Sequence, residues 1–249
     1  MESKKIKKIV KDKYSEIADS SLSCGCSCNS SCCGESQIKQ ISKSIGYSEE
    51  DLKTPGNLGL GCGNPIALGK IKSGDIVLDL GSGAGFDAFL ASEKVGKKGK
   101  VIGLDMTELM INKAKENAKK GNYNNVEFIL GDIEEIPLKD NSINVIISNC
   151  VINLSPNKDK VFKESYRVLK KGGKMFVSDI VLLQPLSNDQ KKNKDLIAGC
   201  VGGALLKKDY LKRINKAGFI VNILSEDKDI SKRQYQGIDL ESLKIEAIK

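Results

Sequence analysis

No histidine occurs among the 249 residues. The side chain that most often serves as a general base near neutral pH, and as a nitrogen ligand to metals, is therefore missing. Nowhere do about eighteen apolar residues run together, so no membrane-spanning helix is expected. The amino terminus, Met1-Glu-Ser-Lys-Lys-Ile-Lys-Lys-Ile-Val10, has charge but no apolar segment of signal-peptide length, and the expectation is a cytoplasmic protein. The features of a nucleic-acid binder are lacking too. The net charge is +8, yet nearly all positive residues are Lys in short clusters such as Lys97-Lys98, Lys170-Lys171 and Lys191-Lys192. No aromatic-rich strand or basic helix organises them. They read as a solvated surface that can attract anionic small molecules; neither nucleic acid nor membrane is an expected partner.

What the chain does have is sulfur. Eight cysteines in a reducing compartment point to metal, metalloid or redox chemistry rather than to a structural disulfide framework. With 40% hydrophobic and 29% charged residues, the length suits one large α/β domain, or a medium domain plus an arm.

Ile6, Ile9, Val10, Tyr14 and Ile17 follow helical spacing. A Ser-, Gly- and Cys-rich stretch over residues 20–34 then reads as a flexible arm holding Cys24, Cys26, Cys28, Cys32 and Cys33. The expected boundaries are a helix and arm over 1–56 and a domain over 57–249. After Pro55-Gly56, strands are predicted at 76–80, 101–104, 126–130, 143–148 and 174–181. Helices are predicted at 86–94, 108–120 and 158–169. Such alternation predicts a mostly parallel sheet with helices on both faces.

The first strand runs into Asp79-Leu-Gly-Ser-Gly-Ala-Gly-Phe-Asp87. Gly81, Gly83 and Gly85 allow a tight turn and close approach to a ligand, while the next helix offers its amino-terminal N–H groups. The spacing is G-x-G-x-G rather than G-x-G-x-x-G, which points away from NAD. Asp105 ends the second strand, placed to accept both hydroxyls of a ribose, with Met106 beside an adenine. Asp132 ends the third strand, placed to accept from an adenine amino group. Together these residues fit an adenosine.

Through Val77-Leu-Asp-Leu-Gly-Ser-Gly-Ala-Gly85, Gly103-Leu-Asp105 and Arg167-Val-Leu-Lys-Lys-Gly-Gly173 the chain resembles the class I S-adenosylmethionine-dependent methyltransferases. Within them it is similar to the bacterial-type arsenite methyltransferases. The matching stretches are Asn57-Leu-Gly-Leu-Gly-Cys-Gly-Asn-Pro65, Gly83-Ala-Gly-Phe-Asp87, Asp105-Met-Thr107, Ser148-Asn-Cys-Val-Ile-Asn-Leu-Ser-Pro156, Val177-Ser-Asp-Ile180 and Ala198-Gly-Cys-Val-Gly-Gly-Ala204.

The resemblance implies a Rossmann-like α/β fold whose seven strands lie in the order 3-2-1-4-5-7-6, the seventh antiparallel, with a segment over 184–206 that covers the substrate. A helix at 208–217 and strands at 219–224 and 243–248 leave room for that ending. It also implies S-adenosylmethionine, held by Asp79, Gly81, Ser82, Gly83, Gly85, Asp105, Met106, Asp132, Ile133 and Asn149. Trivalent arsenic would be bound by Cys150, Cys200 and Cys62, with Cys150 and Cys200 as the principal pair. Cys62 with Cys32 or Cys33 would form a redox pair, reopened by an external thioredoxin- or glutathione-type reductant. The protein is expected to act as a monomer.

Soft, pyramidal arsenic(III) suits thiolates independently of the resemblance. Bound to sulfur it has no proton to lose, so no general base is needed, and the missing histidine becomes intelligible. Two other functions compete: methyl transfer to an organic small molecule, and non-catalytic metalloid binding by a thiol-rich scaffold. Tyr14, Phe86 and Phe162 are the aromatic candidates to enclose a methylated arsenical.

Overall fold

The computed structural model describes residues 2–20, 32–65, 70–235 and 238–249, the side chains of residues 20 and 32–37 apart. Seven strands form one sheet in the order β3-β2-β1-β4-β5-β7-β6. They are β1 (Ile76–Leu80), β2 (Lys100–Asp105), β3 (Val126–Leu130), β4 (Ile143–Asn149), β5 (Leu169–Leu182), β6 (Ile220–Asp227) and β7 (Leu240–Ile248). Strands β1 to β5 pair in parallel, and β7 runs antiparallel to β5 and β6. The fold is that of the class I methyltransferases, as expected.

Val77, Leu78 and Leu80 of β1 and Ile146 and Ile147 of β4 are fully buried, because a parallel sheet hides both faces under its crossover helices. One helical layer holds α3 (Phe86–Val95) and α4 (Glu108–Lys120), whose Phe89, Ile111 and Ala114 pack with Val77 and Val101. The other holds α5 (Lys158–Val168) and α8 (Lys207–Lys216), whose Phe162 and Tyr210 meet edge-on at 5.5 Å. Strand order reverses between β1 and β4, and in open α/β sheets the crevice at such a point is where ligands bind.

The amino-terminal helix expected from its spacing is present. Helix α1 (Ser3–Ser20) packs against α4 and against α7 (Lys194–Ala198), and Val10 is buried in the core. Its apolar residues at helical spacing supply the reason: Ile6, Ile9, Val10 and Tyr14 all meet that core. A helix not expected from composition, α2 (Cys32–Ser44), follows. Cys24, Cys26 and Cys28 lie outside the described residues. The segment over 184–206 folds as two short helices, α6 (Asn188–Lys192) and α7, and packs Ile197, Cys200, Val201 and Ala204 into the same core. A last short helix, α9 (Ile230–Gln234), precedes β7.

Candidate active site

The carboxyl ends of β1, β2 and β4 open onto a solvent-connected cavity of about 1100 Å³. At Gly81 (φ 67°) an added Cβ would stand 2.3 Å from Val151, so that turn is packed against the chain itself. At Gly83 (φ 51°) a Cβ would meet nothing within 4 Å, so this position faces the cavity. Asp105 accepts from the backbone N–H of Gly83 at 3.0 Å and of Thr107 at 2.8 Å, which fixes its carboxylate at the rim. Met106 and Ile133 line the same space. Asp132, expected to receive an adenine amino group, is already engaged: Lys7 of α1 reaches one oxygen at 2.6 Å and Glu134 N–H donates to the other at 2.8 Å.

Three buried carboxylates face one another across this loop. Burial, then repulsion from Asp87 and Asp105, holds Asp79 well above the usual carboxylate range. Burial pushes Asp87 up to about 6 against the opposing hydrogen bonds from Tyr47 and Asn149, and burial raises Asp105 as well. Asp79 Oδ2 and Ser82 Oγ find no hydrogen-bond partner among the described residues. Lys7 is the one cationic side chain among the described residues lining the cavity. Buried carboxylates without a cation call for a cationic ligand. The sulfonium and ammonium of S-adenosylmethionine, with its ribose hydroxyls for Asp105, meet that requirement.

Asn149 connects this cavity to the thiols. Its Nδ2 donates to Tyr47 Oη at 2.9 Å, Gly63 O at 2.8 Å and Asp87 Oδ2 at 3.1 Å, and its Oδ1 accepts from Cys62 N–H at 3.1 Å. Tyr47 Oη donates to Asp87 Oδ1 at 2.6 Å and packs on Phe86, ring centroids 4.9 Å apart. Neither Tyr47 nor Asp87 was among the expected site residues. Asp87 closes the glycine motif and was legible as a candidate there, whereas no sequence signal marks Tyr47.

Cys150 lines the cavity at the end of β4, and its sulfur is joined to Cys62 in a disulfide with Cα atoms 6.0 Å apart. The expected redox pairing of Cys62 with Cys32 or Cys33 falls on side chains outside the described residues. The Cys62–Cys150 bond has a local cause. The carbonyl of Ser178 accepts from Cys150 N–H at 2.9 Å and stands 3.3 Å from Cys62 Sγ, and Asn149 Oδ1 accepts from the Cys62 amide, so the two sulfurs meet at one strand junction.

Cys200 is free and buried, and its thiol donates to Cys150 O at 2.6 Å. It stands just past α7, where Val201 N–H returns to Leu196 O at 2.9 Å. That is the helix-ending position normally given to glycine. Both Cys150 (φ 58°) and Cys200 (φ 66°) hold left-handed backbone angles, a strain that side chains other than Gly and Asn rarely accept.

Around these sulfurs lie Tyr14, one of the aromatic candidates, and Asp179 and Lys158, which the sequence did not single out. Tyr14, carried in by α1, hydrogen-bonds Cys200, and burial raises the Cys200 thiol far above its ordinary value. Asp179 is fully buried, with Tyr210 Oη donating to its Oδ2 at 2.8 Å while Oδ1 has no partner among the described residues. Burial pushes Asp179 up to about 7, and burial lowers Lys158 to about 8. Of the aromatic candidates, Tyr14 and Phe86 line the cavity, whereas Phe162 belongs to the opposite core layer.

The glycine loop, acid-lined cavity and reversal of strand order define a class I S-adenosylmethionine-dependent methyltransferase fold. Residues 71–218 match the methyltransferase domain family. An arsenic(III) S-adenosylmethionine methyltransferase from Chlamydomonas reinhardtii superposes with a TM-score of 0.67 at 32% identity, covering 84% of this chain and 73% of that one. An arsenite methyltransferase from Halobacterium salinarum is 43% identical over 89% of this chain and 59% of its own length. The human arsenite methyltransferase is 41% identical over 57% of this chain and 40% of its own. The chain thus belongs to the arsenite methyltransferase family, although it spans only about two-fifths to three-fifths of the length of these two curated relatives. Among the described residues no helix is long and apolar enough to cross a membrane.

Proposed function

We propose that the protein transfers methyl groups from S-adenosylmethionine to trivalent arsenic held on its own sulfurs, first arsenite and then methylarsenite, as an arsenic detoxification step in the cytoplasm. The observation that carries this reading is the position of Cys150. It lines the cavity built by Gly83 and Asp105, is joined to Cys62, and receives the thiol of Cys200 on its carbonyl. A methyl acceptor on these sulfurs would therefore stand at the wall of the cofactor cavity. Family membership supports the same substrate.

When bound, S-adenosylmethionine supplies an electrophilic methyl group. The chain's part begins with reduction of the Cys62–Cys150 disulfide by an external dithiol, which frees both sulfurs. Each thiol then displaces one hydroxyl of arsenous acid, and the thiol proton leaves in the water released. No base is consumed, consistent with a site free of histidine. Cys150, Cys200 and Cys62 hold the arsenic with its lone pair exposed, while Asp79, Asp87 and Asp105 hold the donor's cationic and ribose groups. Fixing two reactants in attack geometry is worth ~7 to 11 kcal/mol of the barrier. Tyr14 and Phe86 close the apolar side.

Methylation takes arsenic from the trivalent to the pentavalent state. Two protein thiols return it to the trivalent state by giving up two electrons and forming a disulfide, and the existing Cys62–Cys150 bond supports that pair for the role. A thioredoxin- or glutathione-type reductant reopens it, and the protein works as a monomer. Incubation of the purified protein with arsenite, S-adenosylmethionine and a dithiol, followed by arsenic speciation by mass spectrometry, should give methylated arsenicals. Unmethylated arsenic after prolonged incubation would refute the reading.

A further inference from the structure

Asp179 takes no part in the arsenic chemistry set out above, yet it is the third member of a compact donor set. One ligand atom each from Cys62, Cys150 and Asp179 lie within 4.8 Å of one another, and all three residues are buried. In a tetrahedral zinc site with metal–sulfur bonds of ~2.3 Å, two sulfurs stand ~3.8 Å apart, so once the disulfide is reduced Cys62 and Cys150 must part to that spacing, with Asp179 already beside them. Asp179 is held for the purpose. Tyr210 occupies its Oδ2 at 2.8 Å, and its Oδ1 is left without a partner among the described residues.

We propose that the reduced protein binds one thiophilic divalent cation, of the zinc or cadmium class, through Cys62 Sγ, Cys150 Sγ and Asp179 Oδ1. The mixed sulfur and oxygen set matches borderline-soft ions and leaves a fourth tetrahedral position open. Charge balances as well. Two thiolates, one carboxylate and the divalent ion, together with the Lys158 ammonium that interacts with Asp179, sum to zero, as a buried site requires. Reduction by an added phosphine opens the disulfide to two thiols, and on binding each releases a proton as the metal–sulfur bond forms. Because the ion occupies the sulfurs that would take arsenic, such cations act as inhibitors competing with arsenite. The binding itself does not depend on methyl transfer and is measured without arsenic or donor.

The test uses the full chain with Cys24, Cys26, Cys28, Cys32, Cys33 and Cys200 changed to Ser, which leaves Cys62 and Cys150 as the only thiols. The protein is reduced with a phosphine, desalted anaerobically and titrated with cadmium, the ultraviolet thiolate-to-cadmium band being followed. One equivalent should saturate the band. Cys62→Ser should abolish it, and Asp179→Asn should weaken binding at least ~10-fold, with S-adenosylmethionine affinity by calorimetry confirming that each variant is folded. Absence of the band in the six-Ser protein, or unchanged cadmium affinity in Asp179→Asn, would overturn the proposal.

Discussion

The thiol of Cys200 rests 2.6 Å from the carbonyl oxygen of Cys150, and the two residues share left-handed backbone angles of 66° and 58°. Two strained cysteines in contact, one ending a strand and one ending a helix, are costly positions for side chains other than glycine or asparagine. The cost is separable from the chemistry. Cys200→Gly relieves ~1 kcal/mol of backbone strain and offsets much of the lost packing, so its melting temperature should stay within a few degrees of the parent. Cys200→Val, branched at Cβ in the same conformation, should melt clearly lower. Both should lose arsenic methylation while retaining calorimetric affinity for S-adenosylmethionine. Equal melting temperatures for the two variants would remove strain from the account.

Tyr14 reaches the cavity and Cys200 from a helix that precedes the sheet in the chain. Tyr14→Phe keeps the ring and removes the hydroxyl that bonds Cys200. Arsenic methylation should fall several-fold through kcat, with donor affinity unchanged. A defect confined to donor affinity would place Tyr14 with the cofactor instead.

Asp105 has both oxygens oriented by backbone N–H groups, Gly83 at 3.0 Å and Thr107 at 2.8 Å. Asp105→Ala should weaken S-adenosylmethionine binding by at least ~10-fold, a loss of ~1.4 kcal/mol, the scale of one charge-assisted hydrogen bond. Undiminished affinity by calorimetry would refute its assignment to the ribose.

Asp179 should make stability depend on pH in a definite direction. Its carboxyl titrates near 7 when folded and at about 3.8 when unfolded. Between those values the unfolded chain has released the proton and the folded one has kept it, so this group lowers stability as pH rises through the window. Asp179→Asn should therefore stabilise the protein by ~2 to 4 kcal/mol at pH 8 and hardly at all at pH 4. Denaturant melts at the two pH values measure the difference. The same gain at both would show that Asp179 is not the group responsible.

Lys7 joins α1 to the rim of the cavity through Asp132 at 2.6 Å and Glu134 at 2.7 Å. Burial works against its ammonium, but the two hydrogen bonds outweigh it and its pKa stands above the ordinary value. Partly exposed pairs contribute ~0.2 to 1 kcal/mol each, so Lys7→Ala should leave global stability almost unchanged. Hydrogen exchange over residues 3–20 should quicken. Unaltered exchange there would mean that apolar packing alone holds the helix.

Much of this was legible beforehand because it follows from local rules. The alternation of apolar strands with helical spacing gave the sheet. The G-x-G-x-G turn, Asp105 and Asp132 were legible as strand-end neighbours and line one cavity, although Asp132 is taken up by Lys7. Cys150 and Cys200 stood out through their flanking motifs, and the structure brings them together. The Cys62–Cys150 bond was not legible, since it arises from Ser178 O and Asn149 holding two loops at one point, a juxtaposition far apart in sequence. Tyr47, Asp179 and Lys158 were missed for the same reason: each draws its character from burial and from neighbours on other elements, and an isolated Asp or Tyr in a sequence carries neither.

Helix α1 is synthesised before any strand of the sheet, yet it packs against α4 and α7, the latter near residue 196. A helix that leaves the ribosome ahead of the sheet is therefore among the last elements to dock. Until residues 194–198 have emerged and folded, the wall made by Lys7, Val10 and Tyr14 has only part of its seat, and a nascent chain that already carries the complete glycine loop still has an open, solvent-filled cleft. Binding competence should arrive late in synthesis, in one step with the docking of that helix.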